Sequence, residues 1–560
     1  MGSKTDFQNK VISKQNFRIF LFFILALGAI LRYWNIDFGL DLKDYKLSIT
    51  WAKIDEETTI NCLFGTLFKG DFNPHNFIYP TFYRYILFFS YYLFFIPKAI
   101  LAKTGVLDLL QSQASKNPSI FFLIARYVSA TAGTVTIYFL YRLARKVFNR
   151  KVALFSSLLL ALSPLHIRES HFGTIDATLT LMILVSLLFI VNIYQSGRLK
   201  DYLMSGFLIG LCVSTKYNAV ILILPLLAAH FFSKNSSLPL LIYSVLLIPL
   251  GFLIATPYVI LSPHEFLRYT VIQVNYLYPK GFLDSLRYVF RGGIHPFLEY
   301  LSRYNLILPS FICLLMGIFL SFKRKYHVII PLAIYCLFYL ILLFITKAFF
   351  GRYMLPVIPV LYIFCAWFIY LVVTNFYKNK FTNIFLIGLL LFVTPSIFTI
   401  YHWHRALSQK DTRQIFLKWI SGQEFLQEEV FFLTSPQMAA RAMGDEKTGV
   451  CFWDTLDGKT KELFPLHRGD LLRKVLSSLK NILADPESDF KYFILSSELA
   501  FNEQVYREIV SILFEHCEVM YEVNSGFFRR QDREFFLFVP YKSYSRSQRP
   551  GPYIAVFKRR

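Results

Sequence analysis

The chain has 560 residues, of which 55% are hydrophobic and only 17% are charged, with a formal net charge of +23. Soluble domains carry fewer hydrophobic and more charged residues, so this composition excludes an ordinary soluble enzyme and predicts a protein of the lipid bilayer. The positive charge does not indicate a nucleic-acid partner, because Lys and Arg stand in short clusters between apolar segments, as topology signals do.

The cysteines exclude two further kinds of site. Four of the seven lie in apolar stretches and no two have CxxC spacing, so neither a zinc site nor a disulfide framework is indicated. Only Cys451 and Cys517 could form a disulfide.

In chain order, apolar segments long enough to cross a bilayer begin near residues 17, 121, 152, 177, 202, 218, 237, 305, 327, 353 and 383. A helix needs about 20 residues to cross the hydrocarbon, and we therefore predict a polytopic α-helical membrane protein with about eleven transmembrane helices. The first segment has basic residues before it, like a signal peptide. Arg32-Tyr33-Trp34 follows it where a cleavage site would have small residues, so we predict a retained anchor.

The segment from Phe82 to Ala102 is apolar but contains Arg84 and Pro97-Lys98, which leave a core of roughly a dozen apolar residues, typical of an interfacial helix. If it does not span, the later basic clusters all fall on the N-terminal side, as the positive-inside rule requires. We therefore predict interfacial helices in a first outer loop, residues 35–118. The clusters are Arg142 to Lys151, Arg198 to Lys200, Lys323 to Lys325 and Lys378 to Lys380.

In this topology the loop from about 257 to 304 and everything after Tyr401 also lie on the outer side of the membrane. The tail has short β-rich runs separated by polar and helical stretches, which predict a small α/β domain. We therefore predict a transmembrane domain at 1–401 and an extracytoplasmic soluble α/β domain at 402–560. The predicted strands include Val430–Leu433, Tyr492–Leu495 and Phe535–Phe538.

Candidate catalytic residues follow the first predicted span, where Asp55 and Glu56 are adjacent. A carboxylate at the membrane surface can take a proton from an attacking hydroxyl or amine. The alternative is a solvated helix start. His75 and Tyr79 lie shortly after it, in Gly70-Asp71-Phe72-Asn73-Pro74-His75 and Tyr79-Pro80.

Several more ionisable residues fall at the same outer level of the predicted topology. Such groups at helix ends inside a bundle are costly unless they meet a partner or a substrate, and Lys or Arg there would suit a lipid phosphate. Each has a structural alternative, since an arginine can snorkel and Lys216 can cap helix carbonyls. These residues are Arg126, His166, Arg168, Glu169, His171, Asp176, Lys216 and Arg352.

Nine short stretches of the chain occur in an order that resembles one family. It is the C-type, polyprenyl-phosphate-dependent glycosyltransferases, in the protein O-mannosyltransferase-like branch that includes the aminoarabinose transferases of lipid A. The resemblance covers roughly residues 17–370. The stretches are Leu31-Arg32-Tyr33-Trp34, Asp55-Glu56, Gly70 to His75 with Tyr79-Pro80, Ala125-Arg126-Tyr127, Ser163-Pro164-Leu165-His166, Ser170 to Asp176, Ser214-Thr215-Lys216-Tyr217, Ala255-Thr256-Pro257-Tyr258 and Gly351 to Pro356.

The resemblance implies roles for particular residues. Asp55 would be the catalytic carboxylate that activates or orients the acceptor, and Glu56 would support it. Arg126, Lys216 and Arg352 match basic positions associated with the donor's phosphate.

Three further positions are implied as substrate-binding. His171 and Asp176 fall where this branch places polar groups near the cavity, and Tyr79 stands where some members begin a Lys-Pro-Pro stretch. This chain has Tyr79-Pro80-Thr81 there, so a phosphate-contacting lysine is missing. Lys53 also stands where His-Pro or similar residues often precede the acid, and both departures predict a donor different from that of those members.

The activity that follows is inverting transfer of a sugar from a polyprenyl-phosphate donor to a lipid, glycan or protein acceptor. The resemblance also implies a bacterial inner membrane location with an extracytoplasmic site, and no essential cofactor, although distant relatives bind a divalent cation.

Other functions remain as alternatives. A flippase or transporter would concentrate ionisable residues near the midplane, whereas here they gather at one face. An O-antigen ligase or polymerase would have a different loop arrangement and no Asp-Glu after the first span. A third hypothesis is that the tail is a binding module and that the membrane part is its scaffold.

Overall fold

The computed structural model describes residues 14–50, 54–278, 284, 307–324, 327–347, 350–376, 381–423, 430–433, 449–451, 468–485, 488, 490–496, 503–523 and 552–560. The chain divides into two compact units. The membrane unit is Met1–Ile36, Asp55–Ser115 and Phe121–Ile400, and the tail unit is Asp37–Ile54, Lys116–Ile120 and Tyr401–Arg560. No pattern in the sequence indicates that the two short segments belong with the tail unit, and the predicted boundary after residue 401 stays a prediction.

The helices of the membrane part follow the apolar segments of the sequence. Short 3-10 turns lie at Tyr217–Leu222, His327–Ile329 and Gly351–Met354. In chain order the helices are α1 Lys14–Tyr33, α2 Ile54–Lys69, α3 Phe82–Ala102, α4 Val106–Lys116, α5 Ser119–Val147, α6 Arg150–Ala161, α7 Pro164–Ser170, α8 Ile175–Ser196, α9 Leu199–Val213, α10 Ile223–Phe231, α11 Leu238–Ala255, α12 Tyr258–Leu261, α13 Pro263–Leu277, α14 Ile307–Lys323, α15 Ile330–Phe344, α16 Ile358–Phe376 and α17 Phe381–Leu407.

An apolar helix stands at or close to the start of each predicted span, which confirms a polytopic helical membrane protein. Within the described residues, six helical segments are long and apolar enough to cross a bilayer, and α6 with α7 makes a seventh if that pair, bent by 61°, is one span. Some other predicted spans are shorter helices. The total of eleven therefore stays a prediction.

Helix α3 differs from its sequence-based description. It continues through Pro97 for 21 residues and is long and apolar enough to span. Arg84 and Pro97 therefore do not limit the helix to a short apolar core, as the sequence had suggested. Its placement on the outer surface rests on the basic clusters alone and stays a prediction.

Helices α9 and α11 show how small residues allow close packing in this unit. A Cβ added at Gly206 would lie 2.0 Å from the Ser244 carbonyl oxygen, and one at Gly210 would lie 2.2 Å from the Ile248 oxygen. These glycines are four residues apart and face one neighbour, which is the GxxxG arrangement of membrane helices. Only glycine fits at either position.

The tail unit contains the α/β fold that its sequence predicts. The strands are β1 Val430–Leu433, β2 Gly449–Cys451, β3 Tyr492–Ser496, β4 Cys517–Val523 and β5 Ile554–Arg559, and the helices are α18 Thr412–Ile420, α19 Arg468–Ala484 and α20 Glu503–His516. They form one sheet in the order β2-β1-β3-β5-β4. The first three strands run parallel, and β5 is antiparallel to both of its neighbours. The predicted strand Phe535–Phe538 lies outside the described residues.

The sheet argues against the disulfide that the sequence left open. Cys451 lies on β2 and Cys517 on β4, at opposite edges. Four strand spacings separate them, or roughly 19 Å, which far exceeds the reach of a disulfide. Cys517 is a buried free thiol.

Candidate active site

Asp55 and Glu56 lie in the first turn of α2, where the helix dipole favours carboxylates. Their side chains have different surroundings. The Asp55 side chain is 25% exposed and the Glu56 side chain is 0% exposed. Adjacent helical residues point about 100° apart, so one turn leaves one carboxylate partly exposed and places the other in the interior.

Glu56 accepts hydrogen bonds from Arg126 and from the Gly173 amide. We call this arrangement the Glu56 pair. The Arg126 Nε and Nη2 atoms donate to its two oxygens at 2.9 and 3.0 Å, and the Gly173 amide donates to Oε1 at 2.7 Å. Arg126 also donates to the Ile36 carbonyl at 3.1 Å. Both ionic side chains are almost fully buried.

Gly173 is required for this contact because its Cα lies very close to α5. A Cβ at this position would lie 2.6 Å from the Ala125 Cβ and 3.1 Å from Glu56 Oε1. The loop between α7 and α8 can therefore deliver its amide to Glu56 only with glycine here.

A second ion pair forms on the other carboxylate. Arg352, in the turn before α16, places Nη2 3.0 Å from Asp55 Oδ2. Its side chain is 10% exposed, and among the described residues no acceptor lies within hydrogen-bonding distance of its buried Nε. The nearest carboxylate oxygen is Asp176 Oδ2, at 4.0 Å. Arg352 thus keeps capacity for one more acceptor.

Asp176 links this pair to a second cation. Lys216 Nζ donates to Asp176 Oδ1 at 2.9 Å, and both side chains are largely buried. Asp55, Asp176, Lys216 and Arg352 therefore form one group, the Asp55 cluster, whose formal charges cancel.

Aromatic rings surround the cations of the Asp55 cluster. The Lys216 ammonium lies 4.4 Å from the ring centroid of Tyr353 and 5.7 Å from that of Tyr79. The Arg352 guanidinium lies 4.3 Å from the Phe350 ring. Burial raises the pKa of the Tyr79 hydroxyl well above its usual value, so this hydroxyl stays protonated. Such rings stabilise cations while excluding water.

Backbone contacts bring the separate sequence stretches to this place. The Phe82 amide donates to the Ser214 carbonyl at 3.1 Å, and the Tyr217 hydroxyl donates to the Phe77 carbonyl at 2.8 Å. The Thr81 hydroxyl donates to the Ala255 carbonyl at 2.5 Å. The loop that carries Tyr79 is thereby fixed against the turn that carries Lys216.

Two residues predicted as substrate-binding make structural contacts instead of joining the Asp55 cluster. Arg126 belongs to the Glu56 pair. His171 is buried, with Nδ1 2.8 Å from the Ile167 carbonyl oxygen and Nε2 3.0 Å from the Trp34 carbonyl oxygen. These contacts attach the α7–α8 loop to the end of α1.

Sequence reasoning missed two groups. Tyr353 has no sequence signal beyond its place next to Arg352, yet its ring contacts both cations of the Asp55 cluster. Arg32 is fully buried and donates to carbonyls of Gly28 and Leu160 and to His166 Nδ1. An arginine at the end of an apolar helix was the available signal, since such a residue needs partners.

The Asp55 cluster has the parts that group transfer from a phosphate requires. Asp55 is a partly exposed carboxylate that can accept a proton, and two buried cations lie beside it. Cations held in a poorly solvated site stabilise negative charge that develops on a leaving group.

Comparison with known proteins gives one family and several similar folds. Residues 122–262 match the family described as dolichyl-phosphate-mannose-protein mannosyltransferase. The matched segment contains Arg126, His171, Asp176 and Lys216. No curated protein matches the chain.

Three solved structures illustrate the similarity. The apo oligosaccharyltransferase of Archaeoglobus fulgidus has a TM-score of 0.49 at 12% identity, over 98% of this chain and 89% of that one. ArnT from Cupriavidus metallidurans, bound to undecaprenyl phosphate, gives 0.48 at 11%, over 97% and 98%. The S. cerevisiae protein O-mannosyltransferase Pmt1-Pmt2 complex gives 0.31 at 16%, over 48% and 34%. The family match covers about a quarter of the chain, and over that segment it agrees with the resemblance described from the sequence.

Proposed function

We propose that the chain transfers a sugar, with inversion at the anomeric carbon, from a polyprenyl-phosphate donor to a lipid, glycan or protein acceptor on the outer face of a bacterial inner membrane. The observation that carries the proposal is the Asp55–Arg352 contact at 3.0 Å beside the Asp176–Lys216 contact at 2.9 Å. One potential base and two potential phosphate-binding cations, from three separate stretches of chain, meet there.

In the proposed reaction, a lone pair of the acceptor oxygen or nitrogen attacks the anomeric carbon. The bond from that carbon to the phosphate oxygen breaks, and its electron pair leaves with the polyprenyl phosphate. Asp55 receives the acceptor's proton. Arg352 and Lys216 stabilise the phosphate as its negative charge increases. No covalent enzyme intermediate is needed.

The charges of the Asp55 cluster support this sequence of events. Before the donor binds, Arg352 holds Asp55 in an ion pair, with Nη2 3.0 Å from Asp55 Oδ2. A donor phosphate that binds Arg352, whose Nε has unused hydrogen-bonding capacity, would compete for the guanidinium and release Asp55. In transfer the phosphate gains a negative charge while Asp55 loses one, so the site's total charge does not change.

Within this proposal the other residues have indirect roles. The Glu56 pair orients the first turn of α2, so Glu56 and Arg126 act as positioning residues. Tyr79 and Tyr353 exclude water from Lys216. The two cations provide the charge that a metal would otherwise supply, so we propose that transfer needs no divalent cation and survives chelation with EDTA.

The test measures release of polyprenyl phosphate and labelling of acceptor by the full chain in liposomes, with a panel of polyprenyl-phosphate sugars. We expect Arg352→Gln and Lys216→Gln to lower kcat by roughly 10²-fold to 10³-fold, as loss of one preorganised charge does elsewhere. Lys323→Gln, at an exposed cation near the end of α14, is the matched control and should leave kcat unchanged.

Two outcomes would contradict the proposal. One is transfer at wild-type rate by both variants. The other is movement of labelled lipid between leaflets with no donor consumed, equal in wild type and variants, which would establish the flippase alternative.

A further inference from the structure

A second site lies far from the Asp55 cluster, between α5 and α8. It is an open groove of about 520 Å³, which we call the basic groove. Its lining residues are Tyr138, Arg142, Arg145, Lys146, Leu188 and Asn192. Among the described residues that line it, three are cationic and none is a carboxylate.

The basic groove stands at the opposite ends of helices that also serve the Asp55 cluster and the Glu56 pair. Arg126 and Arg142 both lie on α5, and Asp176 and Asn192 both lie on α8. Each pair is separated by about 24 Å along its helix axis, at 1.5 Å per residue. The basic groove is therefore distinct from the proposed active site and lies on the side predicted to be cytoplasmic.

Topology alone explains basic residues on that side, but it does not explain a groove with an apolar wall. The Tyr138 ring packs under the Arg142 guanidinium at 5.8 Å, and the Tyr138 hydroxyl accepts a hydrogen bond from Arg142 at 3.1 Å. Leu188 is buried in the opposite wall. The groove thus has an apolar surface next to positive charge. A lipid has the matching arrangement, with apolar acyl chains next to a charged headgroup.

One described acid, Asp201, interacts with the Lys146 ammonium. Asp201 lies in the first turn of α9, and its carboxylate already accepts a hydrogen bond from the Asn192 side-chain amide at 2.8 Å. Arg145 and Lys146 are exposed. Both cations lie in the last turn of α5, where they complement the helix dipole, and both remain accessible to an anion.

We propose that the basic groove binds a phosphate-bearing anion, with Arg145 and Lys146 contacting the phosphate and Tyr138 and Leu188 contacting the first carbons of an attached chain. Basic pockets between membrane helices on the cytoplasmic side are recognised binding sites for anionic lipid headgroups. The ligand chemistry is a phosphate ester of an inner-leaflet lipid, or the phosphate group alone.

The experiment is native mass spectrometry of the full chain in detergent, titrated with phosphatidylglycerol, cardiolipin or phosphatidylcholine of matched acyl chains. We expect one tightly bound anionic lipid on the wild type and weak binding of phosphatidylcholine. Arg145→Gln with Lys146→Gln should weaken anionic-lipid binding by about tenfold or more, because charge-assisted hydrogen bonds are the strong ones.

The matched control is Lys323→Gln with Arg324→Gln, which removes two cations from the end of another helix on the same predicted side. It should bind anionic lipid as the wild type does. If the double variant does not fold, single Arg145→Gln is used and should show a smaller loss of the same kind.

A competition arm separates the two sources of phosphate. Displacement of the lipid by millimolar inorganic phosphate would assign recognition to the phosphate alone, and failure to displace it would assign recognition to the intact lipid. Equal binding of anionic lipid by the wild type and the double variant, or equal binding of phosphatidylcholine, would overturn the proposal.

Discussion

Asp55 and Glu56 are neighbours on one helical turn, and each faces an arginine, but their ion pairs differ in burial and in the number of hydrogen bonds. The Glu56 pair has two hydrogen bonds from one guanidinium and a third from a backbone amide, and it excludes water. The Asp55–Arg352 pair has one short contact, a partly exposed carboxylate and an arginine nitrogen without a hydrogen-bond partner among the described residues.

This difference distinguishes an ion pair that supports the structure from one that can take part in a reaction. A buried ion pair with every hydrogen bond made is stabilised by partners that a substrate would have to displace at high cost. An incompletely satisfied pair exchanges partners more readily. We therefore assign structure to the Glu56 pair and reaction to the Asp55 cluster. Three predictions test that assignment, and a fourth tests a separate exposed contact at His75.

The largest expected effect is on turnover. Asp55→Asn should reduce kcat about 10³-fold, or about 4 kcal/mol of transition-state stabilisation, because the amide cannot accept the acceptor's proton. It should lower the thermal unfolding temperature less than Glu56→Gln does, because Asp55 is partly exposed and Arg352 still has Asp176 Oδ2 at 4.0 Å. Asp37→Asn, at an exposed acid in the same predicted outer loop, is the control for transfer assays and calorimetry. Turnover at the wild-type rate would remove Asp55 from the mechanism.

The main effect of Glu56→Gln should be a loss of folding stability. It leaves Arg126 buried without its counter-charge, and breaking such a pair costs about 3–5 kcal/mol. Thermal unfolding in detergent measures the loss. The double variant Glu56→Gln with Arg126→Met should recover part of it, because the unpaired charge is gone. A stable Glu56→Gln protein that cannot transfer sugar would instead put Glu56 in the chemistry.

Gly173→Ala should have a smaller effect of the same kind. The added methyl group would meet the Ala125 Cβ at 2.6 Å, and overpacking of this type costs about 1–3 kcal/mol. Adding Ala125→Gly should restore part of the stability by opening the space. If the single variant unfolds at the wild-type temperature, the loop has room that the structure does not show.

The smallest effect concerns His75, whose ring lies between two exposed carboxylates. Its Nδ1 is 2.9 Å from Glu265 Oε1, and its Nε2 is 2.7 Å from Asp71 Oδ2. Hydrogen bonds to Glu265 and then Asp71 raise the pKa of His75, and their bonds to His75 lower the pKa of both acids. Lys69 and Tyr258 are the other titratable groups that interact with Asp71.

The directions of these pKa shifts predict that this contact stabilises the fold most at weakly acidic pH. The contribution of His75 is complete below its unfolded pKa and is lost as pH rises through its raised value. The contributions of the two acids are present above their unfolded pKa values and are lost as pH falls through the lowered ones. His75→Gln should flatten the dependence of unfolding temperature on pH at both ends of this window. An unchanged profile would mean that the contact is too exposed to matter.

Much of the architecture was predictable because its cause is local. Apolar segments of sufficient length predict membrane helices, and strands such as Val430–Leu433 are continuous apolar runs, as buried parallel strands are. The positions of Asp55, Lys216 and Arg352 were also predictable, since ionisable residues beside apolar helices need a reason to be there.

What the sequence determined by itself was therefore a polytopic membrane protein, the helical membrane unit, the α/β tail and a set of candidate ionisable residues. Tertiary structure alone decided which arginine meets which acid. Arg126 and Arg352 have the same chemistry and equivalent sequence contexts, but only Arg126 lies within reach of Glu56 and the Gly173 amide. Pairing of that kind depends on distances between helices far apart in the chain, and no local pattern contains them.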